Sequence, residues 1–319
     1  MQMATATRAM GARALGLALG AVVDLLLGDP RRLHPVAGYG QLAAAVERRA
    51  WSDSRARGGA YLAACLTLPL TLGVVLERSA PRGLARVVVT AAATWAVLGG
   101  RSLAREADVM AAMLEGGDLV AARLRLSHLA GRDAAGLQLD DLARASVESV
   151  AENTSDAVVA PVLWGAVAGV PGLLGYRAVN TLDAMVGHRT ARYSRFGWAA
   201  ARLDDAANLI PARVTAVLAA ALAPTVGGTP VAAVRVWRRD AWQHPSPNAG
   251  PVEASFAGAL GIQLGGSNTY DGRTEQRGTL GDGPPAAVRD LRRTVRLAAA
   301  VDVAACLIAV GFAASRRRR

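Results

Sequence analysis

"ESVAENTSDAVVAP", residues 148–161, sets three acids at intervals of four, Glu148, Glu152 and Asp156, and then gives way to residues 157–176, where no charge occurs. Twenty uncharged residues are enough for a helix to cross the roughly 30 Å hydrocarbon core of a bilayer. At 100° per residue, Leu139, Leu142, Val147 and Val150 gather on one face of a helix, and Asp141, Glu148, Glu152 and Asp156 on the other. Periodicity alone favours a solvated acidic face. The neighbours of Glu152 argue for a site, because Asn153, Thr154, Ser155 and Asp156 are hard oxygen donors of the kind Mg²⁺ prefers.

Further uncharged windows lie on either side. Residues 58–76, 214–234 and 297–315 (the last with one acid, Asp302) are each long enough to span, whereas 87–100 is short and 14–28 is interrupted by Asp24. The expected fold is therefore all-α: a polytopic integral membrane protein with about 4–6 transmembrane or re-entrant helices and amphipathic helical loops, forming a single embedded domain over 1–319. Arg8 and Arg13 before an apolar run imitate a signal peptide, but "LLLGDP" is no small-residue cleavage site, so a retained first helix is expected. Six spans would put both termini inside, in keeping with Arg8, Arg13 and the terminal "SRRRR". Pro161, Gly169, Pro171 and Gly172 interrupt the 157–176 segment. It could be a broken or re-entrant element, which is tolerated where it lines a cavity.

Composition narrows the function. Hydrophobic residues make up 52% of the 319 and charged residues 19%, and the net charge of +11 comes entirely from arginine, with no lysine present. Guanidinium groups suit phosphate, carboxylate and anionic lipid. Nucleic acid is disfavoured: the arginines are spread between apolar runs, and aromatics, at 4%, are too few for stacking platforms. Cys65 and Cys306 sit in apolar runs with neither metal spacing nor a disulfide framework.

Four more polar clusters adjoin apolar elements. "YRAVNTLDAMVGHRT" (176–190) places Asn180 and Asp183 on one helix face, followed by His188. "ARLDDAANLIPAR" (201–213) offers Asp204 or Asp205 with Asn208, flanked by Arg202 and Arg213. "HPSPNAGPVEASFAGALGIQLGGSNTYDG" (244–272) frames Asn248 in a rigid Pro/Gly turn, starts a small-residue helix at Glu253, and ends in glycines that admit close backbone approach. "DLLLGDPRRLHPVAGYG" (24–40) holds Asp24, Asp29 and His34. Neither a Walker A string nor a G-x-G-x-x-G after a strand occurs, so no standard nucleotide motif applies. Each cluster alone is equally an ordinary helix surface or turn. Five together point to a membrane enzyme with a polar site near the interface.

"GDPRRLHPV", "GRD", "VESVAENTSDAVVAP", "YRAVNTLDAMVGH", "RLDDAANLIPAR" and "SPNAGPVEASFAGALGIQLGG", with Y-x-G at 270–272, resemble in that order the CobD/CbiB cobalamin-biosynthesis proteins. The resemblance covers a core of about 20–275, with 276–319 supplying a linker, a last helix and the arginine tail. It implies a multi-pass cell-membrane enzyme, an adenosylcobinamide-phosphate synthase. Such an enzyme uses ATP to join (R)-1-aminopropan-2-ol O-phosphate, or ethanolamine phosphate, to a propionate carboxylate of adenosylcobyric acid through an amide. The bilayer and the corrinoid are thus expected partners, and other enzymes of the pathway or a second copy are plausible ones.

Amide formation needs an activated carboxylate, neutralised phosphate charge and a free amine. On that chemistry Glu152, Asp156, Asp183 and Asp205 are candidate Mg²⁺ ligands, and Asn153, Asn180 and Asn208 orient oxygens. Arg177, Arg202 and Arg213 are candidate phosphate clamps. His34 or His188 would take the amine proton. Ser246, Asn248, Glu253, Gly265, Gly266 and Tyr270 would meet the corrinoid or the amino-alcohol phosphate. Two rivals stand beside this reading: another Mg²⁺-dependent polytopic transferase, prenyl or phosphoalcohol, and a transporter with broken helices. The first lacks a clean acidic motif pair, and the second lacks an inverted repeat.

Overall fold

The computed structural model describes residues 11–30, 34–129, 134–270 and 273–316, with backbone only across 267–277. In chain order the helices are α1 (Ala12–Leu27), α2 (Pro35–Ala50), α3 (Arg55–Ser79), α4 (Gly83–Val97), α5 (Gly100–Glu115), α6 (Leu119–Leu126) and α7 (Leu139–Thr154). A π-helical segment, Ser155–Val159, leads into α8 (Ala160–Val186). After these come α9 (Trp198–Leu222), α10 (Pro230–Asp240), α11 (Ala249–Leu260), a hairpin of β1 (Leu264–Tyr270) and β2 (Arg273–Leu280), and α12 (Val288–Ser315). The protein is all-α apart from that antiparallel hairpin, which carries a bulge at Gly265/Gly266. Five helical stretches among the described residues are long and apolar enough to cross a membrane: Arg55–Ser79, Gly83–Glu115, Leu139–Val186, Trp198–Val226 and Val288–Ser315.

The contacts divide the chain into two compact units. Unit 1 holds Met1–Gly99, Ala160–Asn208 and Cys306–Arg319, and unit 2 holds Gly100–Val159 and Leu209–Ala305.

Unit 1 is a set of closely packed helices. α1 meets α4 through Gly16 and Gly20, where an added Cβ would lie 2.5 Å from Thr90 Cβ and 2.5 Å from Thr94 Cβ respectively. This is small-xxx-small packing, which works where apolar burial gives no advantage over lipid. Leu25, Leu26 and Leu27 of α1 and Leu68, Leu72 and Val75 of α3 stay exposed, as lipid-facing positions do. Away from that surface Tyr61, Cys65, Leu182, Val186 and Phe196 form a core, with the Tyr61 and Phe196 rings 5.1 Å apart.

The chain reverses inside α8. Gly169 has φ 69°, a left-handed conformation that side chains rarely adopt. Beyond it, a Cβ at Gly172 would lie 2.2 Å from the Trp164 carbonyl oxygen. In a straight helix residues eight apart are about 12 Å apart along the axis, so 170–186 folds back along 160–168. The uncharged 157–176 window is thus a break rather than one crossing. Glu77 of α3 accepts from the Val170 N–H at 3.0 Å and from Arg13 at 2.8 Å, and it also pairs with Arg86. Arg13 and Arg316 donate to the Ala166 and Val167 carbonyls. The two ends of the described chain therefore meet at this reversal.

The 214–234 window also differs from expectation. Its helix begins earlier, at Trp198, and the span ends at Val226. Gly227, at φ 78°, then turns the chain into α10. "LDDAAN" consequently occupies the first turns of this helix, ahead of its apolar stretch.

Glu77→Ala leaves two arginines and a backbone N–H without their acceptor. Breaking a largely buried pair typically costs about 3–5 kcal/mol, so the thermal midpoint of the detergent-solubilised variant should fall by several degrees. A midpoint equal to the parent's would show that the reversal holds without Glu77.

Candidate functional site

Unit 1 carries a polar seam between α8 and the first part of α9. The Tyr176 hydroxyl donates to Asn208 Oδ1 at 2.8 Å, and Asn208 Nδ2 donates to Asp204 Oδ2 at 3.0 Å. Asn180 and Asp183 border the Asp204 carboxylate. The spacings explain the alignment: Tyr176, Asn180 and Asp183 recur at i, i+4, i+7, and Asp204 and Asn208 at i, i+4. Asp204 and Asn208 are buried. Asp205, named from the sequence, instead turns outward and pairs with exposed Arg202 at 3.4 Å. The sequence left Asp204 and Asp205 undecided, and the four-residue step to Asn208 was the signal that separates them.

The other unit 1 candidates make different bonds. Arg177 Nη1 donates to Asn180 Oδ1 at 3.4 Å. His188 is exposed, with Nε2 2.9 Å from the Ala184 carbonyl. His34 caps α2, its Nδ1 accepting from the Val36 N–H at 3.2 Å, with Asp29 3.7 Å from Nε2. Its free-base face is thereby occupied by a helix terminus. Gly187 is required where it stands, since a Cβ there would lie 1.9 Å from Asp183 Oδ1.

Unit 2 holds the other half of the candidates. Asn153 donates to the Ser149 carbonyl at 2.8 Å, Glu152 is exposed, and Asp156 sits in the π-helical segment. A π-segment adds a residue to the turn and re-aims the side chains beyond it, and it is frequent at functional sites. Nothing in the sequence marked it. Arg213 Nη1 is held by Asn248 Oδ1 at 2.8 Å and the Leu209 carbonyl at 3.2 Å. With Nη1 so engaged, the guanidinium is fixed in orientation, and among the described residues no acceptor takes its Nη2 or Nε. Ser246 Oγ accepts from the N–H groups of Asn248 and Ala249, seating the start of α11.

Every residue of α11 is buried, including Glu253. His244, which sequence reasoning passed over, is buried beside it with Nε2 3.6 Å from Glu253 Oε1. Its Nδ1 accepts from the Ser246 N–H at 3.0 Å, which leaves the ring proton on Nε2, facing the carboxylate.

The hairpin after α11 is held at both ends by an acid–arginine pair. Glu148 Oε1 accepts from the Gly265 N–H at 2.8 Å, while Arg144 stands 3.5 Å from Glu148 and donates to the Gly265 carbonyl. Asp240 accepts from the Gly281 N–H at 2.9 Å and pairs with Arg239 at 2.6 Å. Gly265 and Gly266 have φ 86° and 88°, and a Cβ at Gly265 would sit 2.0 Å from the Gly278 carbonyl oxygen. Glu148 is thus a structural clamp. The Tyr270 side chain, and "GRD" at 131–133, lie outside the described residues.

The Mg²⁺ candidates divide between the units, Glu152 and Asp156 in unit 2, Asp183 and Asp205 in unit 1. Among the described residues no group of three or more His, Cys, Asp or Glu is close enough to hold a metal. The donor chemistry still suits Mg²⁺, which takes one or two carboxylates together with substrate phosphates rather than a protein cage.

Residues 17–298 match the model of the family described as CobD/Cbib protein. The chain belongs to the CobD/Cbib family. It is 52% identical over 305 residues to a cobalamin biosynthesis protein CobD of Mycobacterium tuberculosis, covering 96% of this chain and 97% of that one. It is 47% identical over 283 residues to the CobD of Geobacter metallireducens (86% and 89%) and 40% identical over 285 residues to that of Rhodobacter capsulatus (86% and 89%). No solved structure matches the chain. This CobD/Cbib member is therefore an all-α polytopic membrane protein of cobalamin biosynthesis.

Arg239 holds the Asp240 carboxyl below the usual carboxylate range, assisted by the Gly281 N–H. A depressed folded-state value stabilises the fold above the unfolded value of about 3.9 and loses that contribution as pH falls through the folded value. Asp240→Asn should lower the thermal midpoint at pH 7 and lose less on acidification to about pH 3 than the parent does. Parallel losses would show that Asp240 is not the linked group.

Proposed function

We propose that this CobD/Cbib protein is an ATP-dependent acid–amine ligase of the cell membrane. It joins an amino-alcohol phosphate to the propionate carboxylate of adenosylcobyric acid, giving adenosylcobinamide phosphate. The observation that carries the reading is family membership over 17–298, because the strings behind the resemblance are also the stretches that keep polar groups in apolar helices. Such groups are expensive to bury and are retained where they serve a site.

In this reading the corrinoid carboxylate attacks the terminal phosphorus of ATP, forming an acyl phosphate and releasing ADP. The free amine then attacks the acyl carbon, phosphate leaves, and the amine gives up a proton. Mg²⁺, when bound, neutralises phosphate charge. Arg213, fixed by Asn248, receives a phosphate oxygen through its remaining N–H groups. Asp156 and Glu152, with Asn153, supply oxygens for the cation in unit 2. In unit 1, Asp204 takes the part that the sequence assigned to Asp205, bordered by Asn180, Asp183 and Asn208. Glu253, buried beside His244 Nε2, is the candidate acceptor for the amine proton.

The test is purified protein with adenosylcobyric acid, Mg·ATP and either (R)-1-aminopropan-2-ol O-phosphate or ethanolamine phosphate. A corrinoid product heavier by the amine less one water is expected, with ATP consumed only when both other substrates are present. ATP consumption without a covalent product would overturn the proposal. Asp156→Asn and Asp204→Asn should each lower turnover about 100-fold or more, the scale of losing one group that stabilises transition-state charge. Asp205→Asn should cost less than about tenfold, since its exposed partner Arg202 holds it away from the seam. Near-normal turnover in Asp156→Asn would remove Asp156 from the ligand set.

A further inference from the structure

α10 presents an unpartnered face of mixed chemistry. Its inner side, Ala233, Val236 and Asp240, is buried, and Gly258 of α11 packs on it so closely that a Cβ would lie 2.7 Å from Ala233 Cα. The opposite side carries Val231, Val234, Arg235 and Arg238, which at 100° per residue fall within about 100° of arc. Trp242 stands in the 3₁₀ turn Ala241–Gln243 that follows. Val231 is 67% exposed and Trp242 79%. The stripe contains no acid. Arg239, at its edge, is committed to Asp240 and Asp282. Among the described residues neither Arg235 nor Arg238 has an ion-pair partner. Pro230, Val231, Val234, Arg235, Arg238 and Arg239 line a shallow groove of about 730 Å³.

Connectivity fixes where this face lies. The span Trp198–Val226 ends three residues before Thr229, the N-cap of α10. Three extended residues reach at most about 11 Å, so a bilayer crossed by that span puts the start of α10 at the headgroup level. A helix there with exposed valines, an exposed tryptophan and two uncompensated arginines has the make-up of an interfacial segment. Apolar side chains dip toward the acyl boundary, tryptophan sits in the interface, and guanidinium groups pair with phosphates.

We propose that this face of α10 binds an anionic phospholipid of the bilayer that the protein spans. Arg235 and Arg238 take the headgroup phosphate, and Pro230, Val231 and Val234 lie along the start of the chains. The site is independent of the ligase reading, because it uses none of the residues assigned there.

The test uses the full chain in nanodiscs containing equal phosphatidylglycerol and phosphatidylcholine, followed by mild detergent extraction and mass spectrometry of the retained lipid. The parent should retain phosphatidylglycerol preferentially, and the preference should shrink as salt rises from about 0.1 to about 1 M. The double variant R235Q/R238Q should weaken retention about tenfold or more, the scale of two arginines near an anionic surface, with its thermal midpoint in zwitterionic detergent unchanged. R235K/R238K should keep most of the preference. R48Q/R49Q, at the end of α2, should leave it intact. The proposal is overturned if R235Q/R238Q retains the parent's preference. It is also overturned if R48Q/R49Q loses as much, if millimolar inorganic phosphate strips the lipid at constant ionic strength, or if R235Q/R238Q changes the oligomeric state instead of lipid retention.

Discussion

Backbone polar groups left open where a helix reverses must find partners, and the reversal at Gly169 is where unit 1 meets that demand. A helix that stops there exposes carbonyls at the end of one arm and N–H groups at the start of the next. The chain answers with side chains of matching sign. Arg13 and Arg316 take the Ala166 and Val167 carbonyls, and Glu77 takes the Val170 N–H. Each charge also sits at the end of a helix dipole that favours it, cations at a C-terminus and an anion at an N-terminus. Arg86 completes the neutralisation of Glu77. With this turn fixed, 170–186 lies along α3, Gly73 meets Pro171, and Tyr176, Asn180 and Asp183 are presented to α9.

Unit 2 applies the same device to a strand pair. A two-stranded hairpin is marginal on its own, yet here each end of it is tied to a helix by a carboxylate that accepts a glycine N–H while an arginine neutralises it. Glu148 and Arg144 hold Gly265, and Asp240 and Arg239 hold Gly281. The positive φ of Gly265, Gly266 and Gly281 lets those N–H groups point at helices rather than across the hairpin. This accounts for the glycines in "LGIQLGG" on structural grounds, whatever ligand approaches them.

The helical, membrane-spanning character was legible because long uncharged windows have few other uses. Their limits were not. Charge counting ends the 214–234 span at Arg235, but Gly227 and Pro230 end it sooner, and the helix starts at Trp198, so Asp204, Asp205 and Asn208 occupy its first turns. The break in 157–176 was visible in its prolines and glycines, whereas its direction depended on Glu77, ninety-three residues away from Val170. The hairpin was hidden because "SNTYDGRTEQRG" carries polar side chains without apolar alternation, so period-two patterning had nothing to register. Candidate site residues were found by type and spacing. Which of two adjacent acids faces inward, and that His244 lies beside Glu253, depend on packing from other elements.

The buried and half-buried acids described above sort by what they accept. Glu77, Glu148 and Asp240 each take a backbone N–H and an arginine. The lone pairs of such a carboxylate are spent on the fold, which makes it a poor metal ligand and a poor base. Asp204 is bound by a neutral amide, Asn208, and Glu253 faces an imidazole. Among the described residues Asp204 has no arginine partner, so it can take a cation without breaking an arginine pair. Glu148 opened the acidic run at 148–156 on equal terms with Glu152 and Asp156. The arginine one turn before it and the glycine N–H that it accepts assign it to architecture. In the proposed reaction the chemistry of this run falls to Glu152 and to Asp156 in the π-helical turn.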